Sequence, residues 1–359
     1  MTAVRTELVT DSSAWRKNDL IEDRSWEHTL SDDHLADLDN ALQSVKRLEL
    51  QLAEITPNNF PLPSLENTLI KVQDELKTGC GFALMYGFPV DKYKLEDLAM
   101  LYWGLCTHLG IGVTQNSQGD LVQYVTDGRL QPQQGARRVG SPKAASLHND
   151  LTDCVSLLSV RQPPDNPLSY VASSTTLYNE ILRQHPEYLI QLFNGFIWDR
   201  QDEEGVGETP TSNYAVPVFS EEEGTLSCRY NRAWIRKGFE RRGQEFTTEE
   251  TEILDLIDQL TFENRFEFEF PAGDIQFCNN YLVMHGRAGH QPVEEESRKR
   301  LLMRIWLDLP DVRTFTDESI IRYGVVRHGQ LGWTASDLLS GRNHHHRQRR
   351  SDGAPLIEN

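Results

Sequence analysis

The sequence predicts a mainly β protein with flanking helices, and three features of its 359 residues carry that expectation. Short apolar runs of strand length recur from Leu121 onward. The connections between them are long and irregular, and the stretches with helical periodicity lie before the first of these runs or in the gaps between them. Such a pattern fits a β-sandwich or barrel with helices outside it better than a parallel sheet with regular crossovers.

The first 25 residues are polar and are expected to be ordered only by docking. Residues 31–52 place apolar side chains at helical spacing behind a serine N-cap, Ser31. Pro61, Pro63 and Ser64 restart the chain as a second helix with Leu65, Leu69, Ile70, Val72 and Leu76 as its buried face, and Gly79 and Gly81 bracket its end. Residues 82–88 (FALMYGF) read as a buried strand and 94–109 as a helix closed by Gly110. Residues 121–125 (LVQYV) are strand-like. The Gly-, Gln- and Arg-rich residues 127–145 form a loop whose length marks it as functional or mobile. Strands follow at 146–160, 169–173, 225–230, 266–270, 275–285 and 301–309, separated by helices at 176–184, 186–193 and 247–260. The organisation expected is an N-terminal helical segment (1–80) packed on the core, a β domain (81–310) interrupted near 199–224, and a C-terminal extension and polar tail (311–359).

With 36 Lys+Arg against 54 Asp+Glu the formal charge is −18, which argues against nucleic acid and anionic membranes as partners. No apolar run approaches the roughly 18 residues of a bilayer span. The first residues lack the apolar core of a signal peptide. The five cysteines are odd in number and far apart, with no CxxC, so a reducing, cytoplasmic setting without disulfides or structural zinc is expected.

Chemistry concentrates in three places. His148 and Asp150 lie two apart at the head of an apolar run, SLHNDLTDCVSLLSV. Residues i and i+2 of a strand share one face about 6.5–7 Å apart, close enough for an imidazole and a carboxylate to converge on one ion. A strand-edge histidine followed by an aspartate turn cap gives the same pattern. His285 ends a second run, AGDIQFCNNYLVMHGR, and completes two histidines and one carboxylate, the set that leaves half an octahedron open in non-heme Fe(II) oxygenases. A zinc hydrolase can use the same ligands. Fifteen residues on, RKRLLMRIWLDL puts Arg300, Leu302, Arg304 and Trp306 on one face and Leu301, Met303, Ile305 and Leu307 on the other. Arginine suits a bidentate grip on a carboxylate, and four residues of strand span roughly 13 Å, so two separate carboxylates are implied.

Together these residues resemble the taurine dioxygenase / clavaminate synthase-like family of Fe(II)- and 2-oxoglutarate-dependent oxygenases. The likeness runs from about Phe82 to Leu309 through GFALMYGFP, HND, GDIQFCNN, HGR and the R-x-x-x-R pair. The resemblance implies a double-stranded β-helix (jelly roll) core, His148, Asp150 and His285 as iron ligands, and Arg300 with Ser169 on the distal carboxylate of 2-oxoglutarate. PPDNPLS stands where the family usually has a Gly-Gly pair before that hydroxyl. Arg304 matches a position that faces the substrate's acidic group in members acting on amino acids or sulfonates. The implied reaction uses dioxygen to decarboxylate 2-oxoglutarate and to oxidise a C–H bond of a small acidic metabolite, by hydroxylation, desaturation or cyclisation. A fixed internal Asp or Glu is the other partner open to Arg304.

Two rival readings share the barrel: a metal-dependent hydrolase or isomerase, which would not need Arg300 and Ser169, and a non-catalytic binding protein with structural His and Asp. His108, His290, Arg229, Arg232, Gln115 and Asn116 read as structural or surface groups as readily as functional ones, and His344, His345 and His346 as part of a solvated tail. Homo-oligomerisation is left open.

Overall fold

The computed structural model describes residues 4–128, 140–310 and 330–342. Its longest apolar run, LLMRIWLD, forms strand β13 (Leu301–Asp308), with all eight residues buried. Leu302 and Trp306 enter one hydrophobic core, while Met303, Ile305 and Leu307 enter another. A strand that is apolar on both faces needs cover on both, and period-two alternation distributes its side chains between the two layers.

Strand β13 lies in a seven-stranded sheet with β1 (Glu27–Thr29), β2 (Phe82–Tyr86), β3 (Ile111–Val113), β4 (Val122–Val125), β6 (Cys154–Arg161) and β11 (Ile275–Asn279). The order is β1-β2-β11-β6-β13-β3, with β4 also on β13. One face carries α2 (Asp32–Arg47), α3 (Glu66–Lys77) and α4 (Leu95–Thr107), whose Leu42, Leu76 and Tyr102 share the core of Met303 and Ile305. The N-terminal segment therefore joins the main sheet through β1 as well as covering it with helices. Opposite the other face stands a four-stranded sheet in the order β10-β7-β12-β5: β5 (Ala145–His148), β7 (Ser169–Ser173), β10 (Phe266–Phe268) and β12 (Val283–Arg287). A third, two-stranded sheet, β8 (Phe219–Glu222) with β9 (Thr225–Cys228), leads into α7 (Arg232–Arg241).

Two expectations are corrected where they matter for the site. The runs 146–160 and 275–285 are each two strands, not one: β5 breaks to β6 through residues 149–153, and β11 to β12 through 280–282. Each break carries the chain from one sheet to the other through buried space. Leu151, Tyr281 and Leu282 are thus buried in the turns themselves, and the apolar pattern runs on without marking them. On α3, Leu65, Leu69, Val72 and Leu76 are buried, but Ile70 is 47% exposed. It stands one residue, about 100°, around the helix from Leu69 and off that stripe. Residues 129–139 of the expected loop, residues 311–329 and the tail with His344, His345 and His346 lie outside the described residues.

Candidate active site

Strands β5 and β12 run antiparallel with His148 directly opposite His285, their rings 4.5 Å apart. One ligand atom from each of His148, Asp150 and His285 lies within 4.8 Å of the others. Asp150 reaches the pair from the corner after β5 rather than from the same strand as His148, so the two side chains converge through the turn and not through i, i+2 spacing.

Each ligand is prepared by its neighbours. His148 sets Nδ1 2.7 Å from the Ser146 carbonyl, which makes Nδ1 the donor and leaves the Nε2 lone pair free, 3.9 Å from Asp150 Oδ1. Asp150 Oδ2 accepts from Arg304 Nη1 at 3.0 Å and Trp306 Nε1 at 3.1 Å. Burial pushes the Asp150 carboxyl up. Arg304, the two histidines and the Trp306 N–H outweigh it and hold the carboxyl well below the usual carboxylate range. Burial, reinforced by His148 and opposed by Asp150, lowers the His285 pKa to about 3, so the imidazole is neutral and can offer a lone pair. Among the described residues, its buried Nδ1 has no hydrogen-bond partner. Two imidazoles, that of His285 neutral and with an orphaned nitrogen, and an ionised carboxylate form a donor set that fits a divalent transition metal.

The corner that carries Asp150 is held from three sides. Asn280 Oδ1 accepts the Asp150 backbone N–H at 3.0 Å, and Arg229 Nη1 reaches the Asp150 carbonyl at 3.4 Å. Asn149 and Tyr230 exchange hydrogen bonds through the backbone and the Asn149 side chain. Asn280 and Trp306 were not singled out from the sequence. The polar run Asn279-Asn280 inside an apolar stretch was the available signal, because buried amides need partners.

His148, Asp150 and His285 line a cavity of about 400 Å³ between the two sheets. Ser169 and Arg300 line it with Arg304. Arg300 is buried, donates to Gln162 Oε1 at 3.1 Å and, among the described residues, has no carboxylate within 4.0 Å. Burial, with help from the nearby Arg287, pushes its pKa down to about 9, the mark of a cation lacking its counter-ion.

Arg304 has the fixed internal carboxylate partner that the sequence left open for it. Its charge is met inside the protein by Asp150, and its Nε and Nη2 donate to Gln115 and Gln123 at 2.7 and 2.6 Å. The carboxylate partner is the metal-ligand candidate itself, a convergence invisible in one dimension because Asp150 and Arg304 are 154 residues apart. The other candidates resolve as structure: Arg232 pairs with Asp255 and Asp258, His108 is bonded to the Phe60 carbonyl, and the His290 backbone donates to the Pro142 carbonyl.

Gly286 sits between His285 and Arg287, where a Cβ would lie 2.8 Å from the Ala145 carbonyl oxygen of β5. Gly286→Ala is expected to push β5 from β12, spreading His148 from His285. An Fe(II) titration should show at least about tenfold weaker binding, with an ordinary loss of stability of about 1–2 kcal/mol in urea.

Residues 45–306 match the family described as taurine catabolism dioxygenase TauD, TfdA family. The chain belongs to the TauD/TfdA family. It is similar to the FR-33289 synthase of Streptomyces rubellomurinus, with 26% identity over 334 residues, covering 90% of this chain and 98% of the relative. Among solved structures, an asparagine oxygenase in complex with Fe(II), 3-hydroxyasparagine and succinate is similar in fold. It has a TM-score of 0.59 and 16% identity, over 79% of this chain and 93% of that one. The non-heme iron oxygenase OrfP in complex with Fe and α-ketoglutaric acid is similar at a TM-score of 0.56 and 15% identity, over 79% and 94%. As a TauD/TfdA-family protein the chain is a 2-oxoglutarate-dependent non-heme iron oxygenase, and the hydrolase and binding-protein readings fall away.

Proposed function

We propose that this oxygenase oxidises a C–H bond of a small acidic metabolite, most simply an amino acid or an amino-acid derivative. His148, Asp150 and His285 would hold Fe(II), while Arg300 and the Ser169 hydroxyl take the distal carboxylate of 2-oxoglutarate. Arg300 carries this assignment: a buried guanidinium that has no carboxylate partner among the described residues, in the cavity of the candidate metal ligands, is a site for an external anion. The bound iron and cosubstrate supply the oxidising power, by decarboxylating 2-oxoglutarate with dioxygen. The chain's own groups orient the reactants. Trp306 and Arg304 fix Asp150 Oδ2, and the Ser146 carbonyl fixes the His148 tautomer.

For the substrate, Arg304 lines the cavity and has two of a guanidinium's five N–H groups left after Gln115, Asp150 and Gln123. An acid group bound there would lie next to the metal ligand Asp150. The amino-acid ligands of the asparagine oxygenase and of OrfP support the same class. Comparing substrate-stimulated 2-oxoglutarate turnover across amino acids, their amides and neutral aromatics tests it. Acids are expected to stimulate at least about tenfold more than their amides, as the loss of a charge-assisted contact implies. Equal stimulation by the amides, or unaltered substrate affinity in Arg304→Gln, would remove the assignment.

The two facing sheets are read as the halves of a double-stranded β-helix, with 81–310 as the catalytic domain. Five free, buried cysteines fit a reducing, cytoplasmic setting.

A further inference from the structure

Arg287 is a third buried cation of the cavity, beside Arg300 and Arg304. It lies two residues beyond His285 on β12 and directly opposite Ser169 of β7. On paired strands, opposed residues project to the same face, so the guanidinium stem and the Ser169 hydroxyl leave the sheet side by side. Its Nη2 donates to the carbonyls of Ser141 and Lys143 at 2.7 and 2.8 Å, and Nη1 donates to the Ala288 carbonyl. Carbonyl dipoles satisfy three of its five N–H groups but do not neutralise its charge; Asp165 and Asp127 act on it from a distance, and among the described residues no carboxylate lies within 4.0 Å. Arg287 is close enough to act electrostatically on Arg300. Two like charges withdrawn from water beside each other are costly unless an anion joins them.

We infer that Arg287 is the second cation of the distal-carboxylate site, binding 2-oxoglutarate together with Arg300 and Ser169. This rests on the placement of the cosubstrate proposed above. Because the same guanidinium grips the carbonyls of Ser141 and Lys143, which line the cavity just before β5, cosubstrate binding is coupled through Arg287 to that segment.

The test compares two ligands of the Mn(II)-loaded protein: 2-oxoglutarate, and 2-oxopentanoate, which has the same 2-oxo acid end and no distal carboxylate. Arg287→Gln is expected to weaken 2-oxoglutarate about tenfold or more and 2-oxopentanoate by less than about twofold. Arg287→Lys, which keeps the charge and loses the fork, should fall between wild type and Arg287→Gln for 2-oxoglutarate only. It also serves if the glutamine variant does not fold. Amide exchange over residues 140–145 should slow when 2-oxoglutarate binds the wild type, and slow less in either variant. Equal losses for both ligands would make Arg287 a merely structural residue, and unchanged 2-oxoglutarate affinity would remove it from the site; either result overturns the inference. Arg300→Gln in the same assay separates the two levels. Ligand selectivity lost at Arg300 but not at Arg287 refutes only this inference, whereas no selective effect at Arg300 refutes the cosubstrate placement beneath it.

Discussion

Asp150→Ala and His285→Ala should both abolish stoichiometric Fe(II) binding, yet they should differ sharply in the stability of the metal-free protein. Three donors converge within 4.8 Å, and two donors do not hold the ion against water. His285 is neutral in the fold and its Nδ1 has no partner, so truncation costs only its packing, about 1–3 kcal/mol. Asp150 is also the counter-charge of the buried Arg304. Its loss leaves a guanidinium with only two amide oxygens, and breaking a buried pair in this way costs about 3–5 kcal/mol. His148→Ala should follow His285→Ala. Anaerobic dialysis against Fe(II) and urea unfolding of the three variants check both halves. Full iron occupancy in any two variants would remove the site. Equal destabilisation at positions 150 and 285 would remove the coupling through Arg304.

The second large effect is expected at Arg300. Arg300→Lys should weaken 2-oxoglutarate by at least about tenfold while Fe(II) affinity stays within about twofold. Two causes add. A lysine cannot make the planar, paired contact with a carboxylate. The burial and the neighbouring Arg287 that bring the arginine down to about 9 would also carry a lysine, with its lower ordinary pKa of about 10.4, towards neutrality in the empty site. Cosubstrate titrations of the metal-loaded variant measure this. Unchanged 2-oxoglutarate dependence would show that the anion lies elsewhere.

What the sequence revealed and what it hid follow from the range of the interactions. Strand β13 was legible to within one residue of its end, since LLMRIWLD carries its own alternation and both of its faces are buried. The candidate metal ligands were legible as residue types ending or following apolar runs. Residues 149–153 and 280–282 were not legible as corners, because they cross buried space and their apolar side chains mimic strand interior. That is why Asp150 was placed on a strand and Asn280 was passed over. The pairing of Arg304 with Asp150 joins residues 154 positions apart, and no local pattern encodes it. Helix α7 escaped because it is short and rich in charged residues, with Ile235 and Gly238 as its buried residues.

The central claim is that one Fe(II) held by His148, Asp150 and His285 shares its cavity with 2-oxoglutarate. Adding 2-oxoglutarate to the anaerobic Fe(II) protein and recording the visible spectrum tests it most directly. A charge-transfer band should grow to saturation at one equivalent of iron, and it should be absent with His285→Ala. Iron and 2-oxoglutarate both bound to the wild type at full stoichiometry, with no such band, would contradict the account.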